Sequence, residues 1–216
     1  MCGIAGTLEL GREIPDPQIL GRMVQAIAHR GPDGSHVDVE GPVGLGHARL
    51  RVIDLSEAAD QPMWNEDRTV GIVYNGEIYN FRELSQELES EGRVLRTQSD
   101  TEVILRMYER FGIDAIWKLD GMFALGIWDR VNERLVLARD RAGKKPLFYW
   151  RDSHRFVFGS EIKALHAHPR IPRRPDLTTL PHFLTYGYFP GKASGYEGVR
   201  KLSPATVLTV NLRGES

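Results

Sequence analysis

Apolar and polar residues alternate at the start of the chain. Ile4, Gly6, Leu8 and Leu10 interleave with Ala5, Thr7 and Glu9, a period of two that predicts a strand beginning near residue 3. Asp16-Pro17 then supplies a helix cap and first-turn proline, and Leu20, Met23, Val24 and Ile27 recur on one helical face, with an expected end at His29-Arg30-Gly31-Pro32. Val43 to Leu50 and Thr69 to Tyr74 read as strands, with Asn75-Gly76 as a turn closing the second. An acidic helix over Phe81–Glu91 buries Phe81, Leu84 and Leu88. Ser99-Asp100-Thr101-Glu102 opens another helix, striped by Val103, Ile104, Met107, Tyr108 and Phe111. After Gly121 the pattern becomes antiparallel hairpins: Met122–Trp128, Leu135–Arg139, Leu147–Trp150 and Phe156–Phe158. A short helix (Glu161–His166), an irregular proline-rich stretch (Pro169–Pro175), a last helix (Asp176–Tyr186) and a strand or hairpin (Lys201–Asn211) complete the reading. Hairpins mixed with amphipathic helices, without regular strand-helix alternation, predict a layered α+β fold and not a doubly wound parallel sheet.

Composition narrows the function classes. With 216 residues, 41% hydrophobic and 26% charged, the chain can bury a real core, which excludes disorder and collagen. The net charge of −1 provides no polyelectrolyte surplus, so neither nucleic acid nor an acidic membrane is an expected partner. The longest strongly apolar stretch, Met122–Trp128, falls far below the about 18 residues of a membrane span. Met1-Cys2-Gly3-Ile4 lacks a basic leader, so a cytoplasmic location is predicted. No repeat and no glycine-rich phosphate loop is found.

Cys2 is the single cysteine, which excludes an intrachain disulfide and a multi-cysteine metal site. Three readings stay open from position alone: a small buried apolar residue, an incidental thiol, or a nucleophile. Removal of Met1 would leave one residue carrying both a thiol and a free α-amine. Such an amine titrates near about 8 and can serve as the base of the nucleophile beside it.

Further motifs decide between these readings. Cys2-Gly3-Ile4, His29-Arg30-Gly31-Pro32-Asp33, Arg49-Leu50 with Ile53-Asp54-Leu55, Gln61-Pro62, Asn75-Gly76-Glu77-Ile78-Tyr79-Asn80 and Ser99-Asp100-Thr101-Glu102 occur in that order. Gly121-Met122-Phe123-Ala124, Arg139-Asp140, Lys145-Pro146-Leu147 and Ser160-Glu161-Ile162-Lys163-Ala164-Leu165 follow. Together they resemble the glutaminase domain of glutamine-dependent asparagine synthase, from residue 2 to about residue 210. The resemblance implies a class II glutamine amidotransferase with the N-terminal nucleophile (Ntn) hydrolase fold, a four-layer αββα sandwich of two antiparallel sheets. Residues 1–168 would form the amidotransferase core, and 169–216 a linker and C-terminal extension leading toward a synthetase domain.

The implied reaction converts glutamine to glutamate and ammonia, with the ammonia passed on for asparagine synthesis from aspartate. Cys2 would be the nucleophile, and the Asn75 side-chain amide with the Gly76 backbone amide would stabilise the oxyanion. Arg49 would hold the substrate α-carboxylate, Asp100 the α-ammonium with help from Glu77, and the backbone of Leu50, Arg51, Val52 and Ile53 would line the pocket. The terminal amine is the implied base, so His29, His47 and Arg30 are not read as a dyad with Cys2, and the two histidines are assigned packing or loop-fixing roles. Asp33 and Asp54 lack a second metal-ligand partner at useful spacing. No metal or other cofactor is expected for the hydrolysis; ATP and magnesium are expected only in the synthetase domain. Implied partners are L-glutamine and that domain or subunit, and a homodimer is compatible with the reading.

The chain departs from the family pattern at Ala142 (usually leucine), Arg51 (usually serine) and Gly126 (usually bulkier), and Arg51 adds charge beside the inferred pocket. The synthetase loop Ser-Gly-Gly-x-Asp-Ser is missing from the 216 residues, so an isolated glutaminase domain, a fragment, or one subunit of a split enzyme is expected. Two other readings remain: another class II amidotransferase, serving phosphoribosyl, hexosamine or glutamate synthesis, and a non-catalytic glutamine-binding or partner-binding module.

Overall fold

Two antiparallel sheets lie face to face in the computed structural model, which describes residues 1–212. In chain order the first strands are β1 (Gly3–Glu9), β2 (Gly34–Glu40), β3 (Val43–Arg49), β4 (Met63–Trp64), β5 (Val70–Ile78) and β6 (Gly121–Asp129). They are followed by β7 (Arg134–Arg139), β8 (Phe148–Arg151), β9 (Arg155–Gly159), β10 (Arg200–Lys201) and β11 (Thr206–Asn211). The helices are α1 (Pro17–Gln25), α2 (Phe81–Ser90), α3 (Asp100–Phe111), α4 (Ile162–His166) and α5 (Leu180–Tyr186). One sheet has the order β10-β8-β9-β1-β3-β2 and the other β11-β7-β6-β5-β4.

Three apolar clusters define four layers. Leu20, Met23 and Val24 of α1 and Ala164 and Leu165 of α4 pack on Ala5, Ala48 and Val157, covering the outer face of the first sheet. Leu84 and Leu88 of α2 and Val103, Ile104 and Met107 of α3 cover Ile72, Ile127 and Val136 on the outer face of the second. Ile4, Leu8, Leu45, Val73, Trp128, Phe156 and Phe158 fill the space between the sheets. The α+β, αββα expectation is met. The period-two signal of β1 is weak because all seven of its residues are buried, with apolar neighbours on both faces. Phe158 also accounts for Gly126: a Cβ there would lie 2.8 Å from the Phe158 ring, which takes the volume of the missing side chain.

Several element boundaries differ from the sequence reading. Asn75-Gly76 is not a turn but lies inside β5, which pairs with β6 as far as Ile78↔Gly121. Turn chemistry gives way here to a ladder supplied by a distant strand. The edge strand β2 escapes the pattern because its residues include exposed Ser35 and His36 beside half-buried Asp38. Helix α1 ends at Gln25, and His29 and Arg30 sit on a separate single 3-10 turn, Ala28–Arg30. Residues 201–211 split between the sheets: β10 joins β8 and β11 joins β7, with the direction changing at Ala205, whose φ is 51°. Among the described residues no helix is long and apolar enough to cross a membrane.

Candidate active site

Cys2 sits immediately before β1, which runs between β3 and β9. The register Gly3↔Ala48, Ile4↔His47 places the end of β3 beside the thiol, and the N–H of Leu50 donates to Cys2 Sγ at 3.4 Å, while Sγ lies 3.5 Å from the Leu50 carbonyl. The carbonyl of Cys2 accepts from Arg30 Nε at 2.9 Å, and Arg30 Nη1 continues to Glu161 at 2.9 Å. The His29-Arg30 turn and the start of α4 therefore hold the Cys2 main chain from behind. Burial pushes the Cys2 thiol above its ordinary value; the Leu50 main chain, the terminal ammonium and Arg49 act against the rise, and Asp100 adds to it.

The opposite wall is the free edge of β5. Tyr79 N–H donates to the Asp120 carbonyl at 2.7 Å and Arg130 N–H to the Thr69 carbonyl at 2.8 Å, so the odd-numbered residues of β5 exchange bonds with the β6 side. The even-numbered amides point away from β6. Val70 N–H donates to Asn65 Oδ1 at 2.9 Å and Ile72 faces Met63 of β4. Toward the cleft, Tyr74 N–H donates to Gln61 Oε1 at 2.6 Å and Ile78 N–H to Asp100 Oδ2 at 3.1 Å. The Gly76 amide lies between them on the same edge and lines the cleft. A Cβ at Gly76 would stand 2.4 Å from the Met122 carbonyl oxygen, so only glycine permits this approach of β6. Beside it, Asn75 is 1% exposed, and its Nδ2 has no hydrogen-bond partner among the described residues. A buried amide donor left unpaired is costly, which marks a position where a ligand atom is expected.

Charged groups stand at the far end of the cleft. Arg49 is buried; it donates to the carbonyls of Ser56 (2.7 Å) and Asp54 (2.5 Å) and is ion-paired with Asp60, which ties down residues 50–60. Asp100, the first residue of α3, accepts from the Tyr74 hydroxyl at 2.7 Å. Burial raises its carboxyl above the ordinary range despite the donors from Tyr74, Ile78 and Thr101. His47 is fully buried, and burial, aided by Arg49 and opposed by the Tyr74 main chain, pushes it down to about 3, so the ring is neutral. His29 lies away from the cleft, on Glu161 at 3.0 Å.

These walls form a cleft of about 190 Å³ that brings together Cys2, Arg49, Leu50, Val52, Ile53, Asn75, Gly76, Glu77 and Asp100. Arg51 is the exception. Its main chain bonds Asp33 (2.9 Å) and its guanidinium points toward Asp60 (3.8 Å), so it does not line the cleft. Motif reading missed Tyr74, Gln61 and Lys145 as lining residues, although Gln61-Pro62 and Lys145-Pro146 were visible as motifs. Among the described residues no group of three or more metal-ligating side chains occurs.

Two face-to-face antiparallel sheets with outer helices, and a cysteine at the inner end of the central strand, define the Ntn-hydrolase class. The same fold is seen in glutamine phosphoribosylpyrophosphate amidotransferase from Bacillus subtilis, with a TM-score of 0.72 and 22% identity over 99% of this chain and 48% of that one. The chain belongs to the glutamine amidotransferase domain family, whose model matches residues 1–216. It is 40% identical to asparagine synthetase [glutamine-hydrolyzing] 3 of Bacillus subtilis (strain 168), over 99% of this chain and 35% of that protein. It is 35% identical to a putative asparagine synthetase [glutamine-hydrolyzing] 2 of Methanocaldococcus jannaschii, over 98% and 44%. A Penicillium rubens protein named amidase chyE is 38% identical over 64% of this chain and 20% of its own length. The chain thus spans less than half the length of these relatives.

Proposed function

We propose that the chain hydrolyses L-glutamine to glutamate and ammonia, and that the ammonia serves asparagine synthesis from aspartate in a synthetase portion outside these residues. The observation that carries the reading is the unpartnered Asn75 amide, buried in the same cleft as the Cys2 thiol. On this reading Met1 is removed and the Cys2 α-amine takes the thiol proton. Sγ then attacks the side-chain carbonyl carbon, and Asn75 Nδ2 and the Gly76 N–H receive the negative oxygen. Collapse expels ammonia, which carries away the proton from the amine, and leaves a γ-glutamyl thioester. Water, deprotonated by the same amine, releases glutamate and the thiol.

Arg49 attracts the α-carboxylate, and Asp100 with Glu77 the α-ammonium. The Leu50–Ile53 segment supplies the pocket wall that Arg49 supports. Thiol, amine and amide donors suffice for this chemistry, so no cofactor is assigned to the hydrolysis, and ATP with magnesium belongs to the synthetase step. The likeness to the Penicillium rubens amidase keeps a second reading, in which the same glutaminase serves a different acceptor.

The test is ammonia release from glutamine by protein whose N-terminus mass spectrometry shows to be Cys2. Supplied with aspartate, ATP and magnesium, these 216 residues alone should make no asparagine. No ammonia above the blank from correctly processed protein would overturn the glutaminase reading.

A further inference from the structure

Lys145 is 6% exposed and lines the same cleft, yet among the described residues no carboxylate lies within ion-pair distance of its ammonium. Its one hydrogen-bond contact through Nζ is to Met1 Sδ, at 3.3 Å. A thioether is a weak acceptor, and a buried ammonium resting on one is held at a cost. The other cations of the site are committed: Arg49 to Asp60 and two carbonyls, Arg30 to Glu161 and the Cys2 carbonyl.

Strand register fixes where the charge lies. On one side of β1, Leu50 touches the thiol. On the other, Ile4 and Ser160 exchange bonds (Ile4 N–H to Oγ, 3.0 Å; Ser160 N–H to the Ile4 carbonyl, 2.9 Å), and the next strand over pairs Phe148 with Gly159. Lys145 enters from the start of that strand, anchored by its own N–H on Asp140 (3.0 Å). Arg49, at the end of β3, and Lys145, three residues before β8, thus both line the cleft that holds Cys2.

We propose that Lys145 is a positioning residue for the nucleophile: its ammonium, buried in the cleft that holds Cys2 and resting on the side chain of the neighbouring Met1, acts by charge alone to keep the Cys2 amine unprotonated and the thiol ionisable near neutral pH. The inference rests on the glutaminase reading. An ordinary α-amine, near about 8, is mostly protonated at pH 7 and useless as a base; a neighbouring cation lowers it. On this proposal the same cation adds to Arg49 and the terminal ammonium, which already act against the burial that raises the thiol. The remaining charged or titratable groups around Cys2 are Arg49 and neutral His47 from β3, Asp100 from α3, Tyr74 and Glu77 from β5, Asp54 from the loop, and Arg30 with Glu161 behind. Asp100 opposes the effect, and Lys145 is the one cation here without a counter-ion among the described residues.

The experiment compares the parent, Lys145→Met, Lys145→Gln and Lys145→Arg as full chains with a free Cys2 α-amine. It follows kcat/KM for glutamine against pH and, separately, the rate of Cys2 alkylation by iodoacetamide against pH; with one cysteine, alkylation reports a single site. Both neutral variants should move both midpoints up by about one pH unit, lowering kcat/KM at pH 7 about tenfold, and Lys145→Arg should restore the parent profile. Unchanged midpoints, with only a lower Tm, would make Lys145 structural and overturn the inference. So would a higher KM at every pH with an unmoved alkylation profile, which would assign Lys145 to the substrate carboxylate. If one neutral variant fails to fold, the other carries the comparison. A parent that alkylates normally but releases no ammonia would sink the glutaminase reading, while the alkylation midpoints still judge Lys145.

Discussion

The Tyr74 hydroxyl donates to Asp100 Oδ2 at 2.7 Å, joining the edge of β5 to the first turn of α3. Ile78 N–H donates to the same oxygen at 3.1 Å, so two bonds from β5 fix the carboxylate at the wall of the cleft.

That arrangement costs stability. Burial raises the Asp100 carboxyl above its ordinary range, so its ionised form is disfavoured in the folded state; the penalty is absent below the ordinary value and complete above the folded one. Asp100→Asn keeps an acceptor for Tyr74 and removes the charge. The variant is expected to melt higher than the parent at pH 7, with the difference closing as pH falls toward about 4, while KM for glutamine rises about tenfold or more. Thermal melts across pH with parallel kinetics check this; a lower Tm at pH 7 contradicts it.

Cys2→Ala should abolish ammonia release with little change in fold, because the thiol's contacts are two weak ones to Leu50, at 3.4 and 3.5 Å. Cys2→Ser should be close to inactive as well. Circular dichroism and an ammonia assay decide; residual turnover near the parent's would remove Cys2 from the mechanism.

Asn75→Ala removes an amide nitrogen that has no partner to lose. Its Tm should change little, while kcat falls about 10²- to 10³-fold and KM stays within a few-fold, since the bond forms as charge develops in the transition state. A KM effect without a kcat effect would place Asn75 outside the oxyanion site.

Arg49→Ala should act on both binding and stability. The guanidinium holds Asp60 and the carbonyls of Ser56 and Asp54, and stripping a buried partner from such a pair costs about 3 kcal/mol or more. The expected outcome is a lower Tm together with a raised KM, and Arg49→Lys should recover only part of each. Stability loss without any KM change would show that Arg49 serves the loop alone.

Met1 lines the cleft and rests its sulfur on Lys145, so a retained first residue obstructs the site as well as converting the Cys2 nitrogen into a non-basic amide. A protein carrying a protease-removable N-terminal extension that ends just before Cys2 should be silent before cleavage and active afterwards. Equal turnover in both states, with the extension confirmed by mass spectrometry, would rule out the amine as base.

Local chemistry was readable wherever neighbours in the chain supply the signal. The cysteine at position 2, the Asp16-Pro17 and Ser99-Asp100 helix starts, and the hairpin alternation after Gly121 each follow from a few adjacent residues, and the helices and hairpins together predict a layered α+β fold, whose four layers only the family resemblance implied. Of the ten residues assigned to the pocket, nine line the cleft. Arg51 was placed with them because it follows Arg49-Leu50, but its main chain turns to Asp33 and its charge to Asp60, partners 18 and nine positions away.

Other features exist only once distant segments meet. Asn75-Gly76 carries a turn-like signal, and it stays extended because β6, more than forty positions later, pairs along it and approaches closely enough to demand glycine. Tyr74 and Gln61 enter the site through bonds to α3, and Lys145 through the packing of β8 two strands away from β1. Arg30 reaches Cys2 only because its 3-10 turn lies behind β1. The physical reason is one of range: capping and periodicity act over one or two turns of chain, whereas burial of a charge, an unpaired amide and the contact between two backbones are properties of neighbours in space.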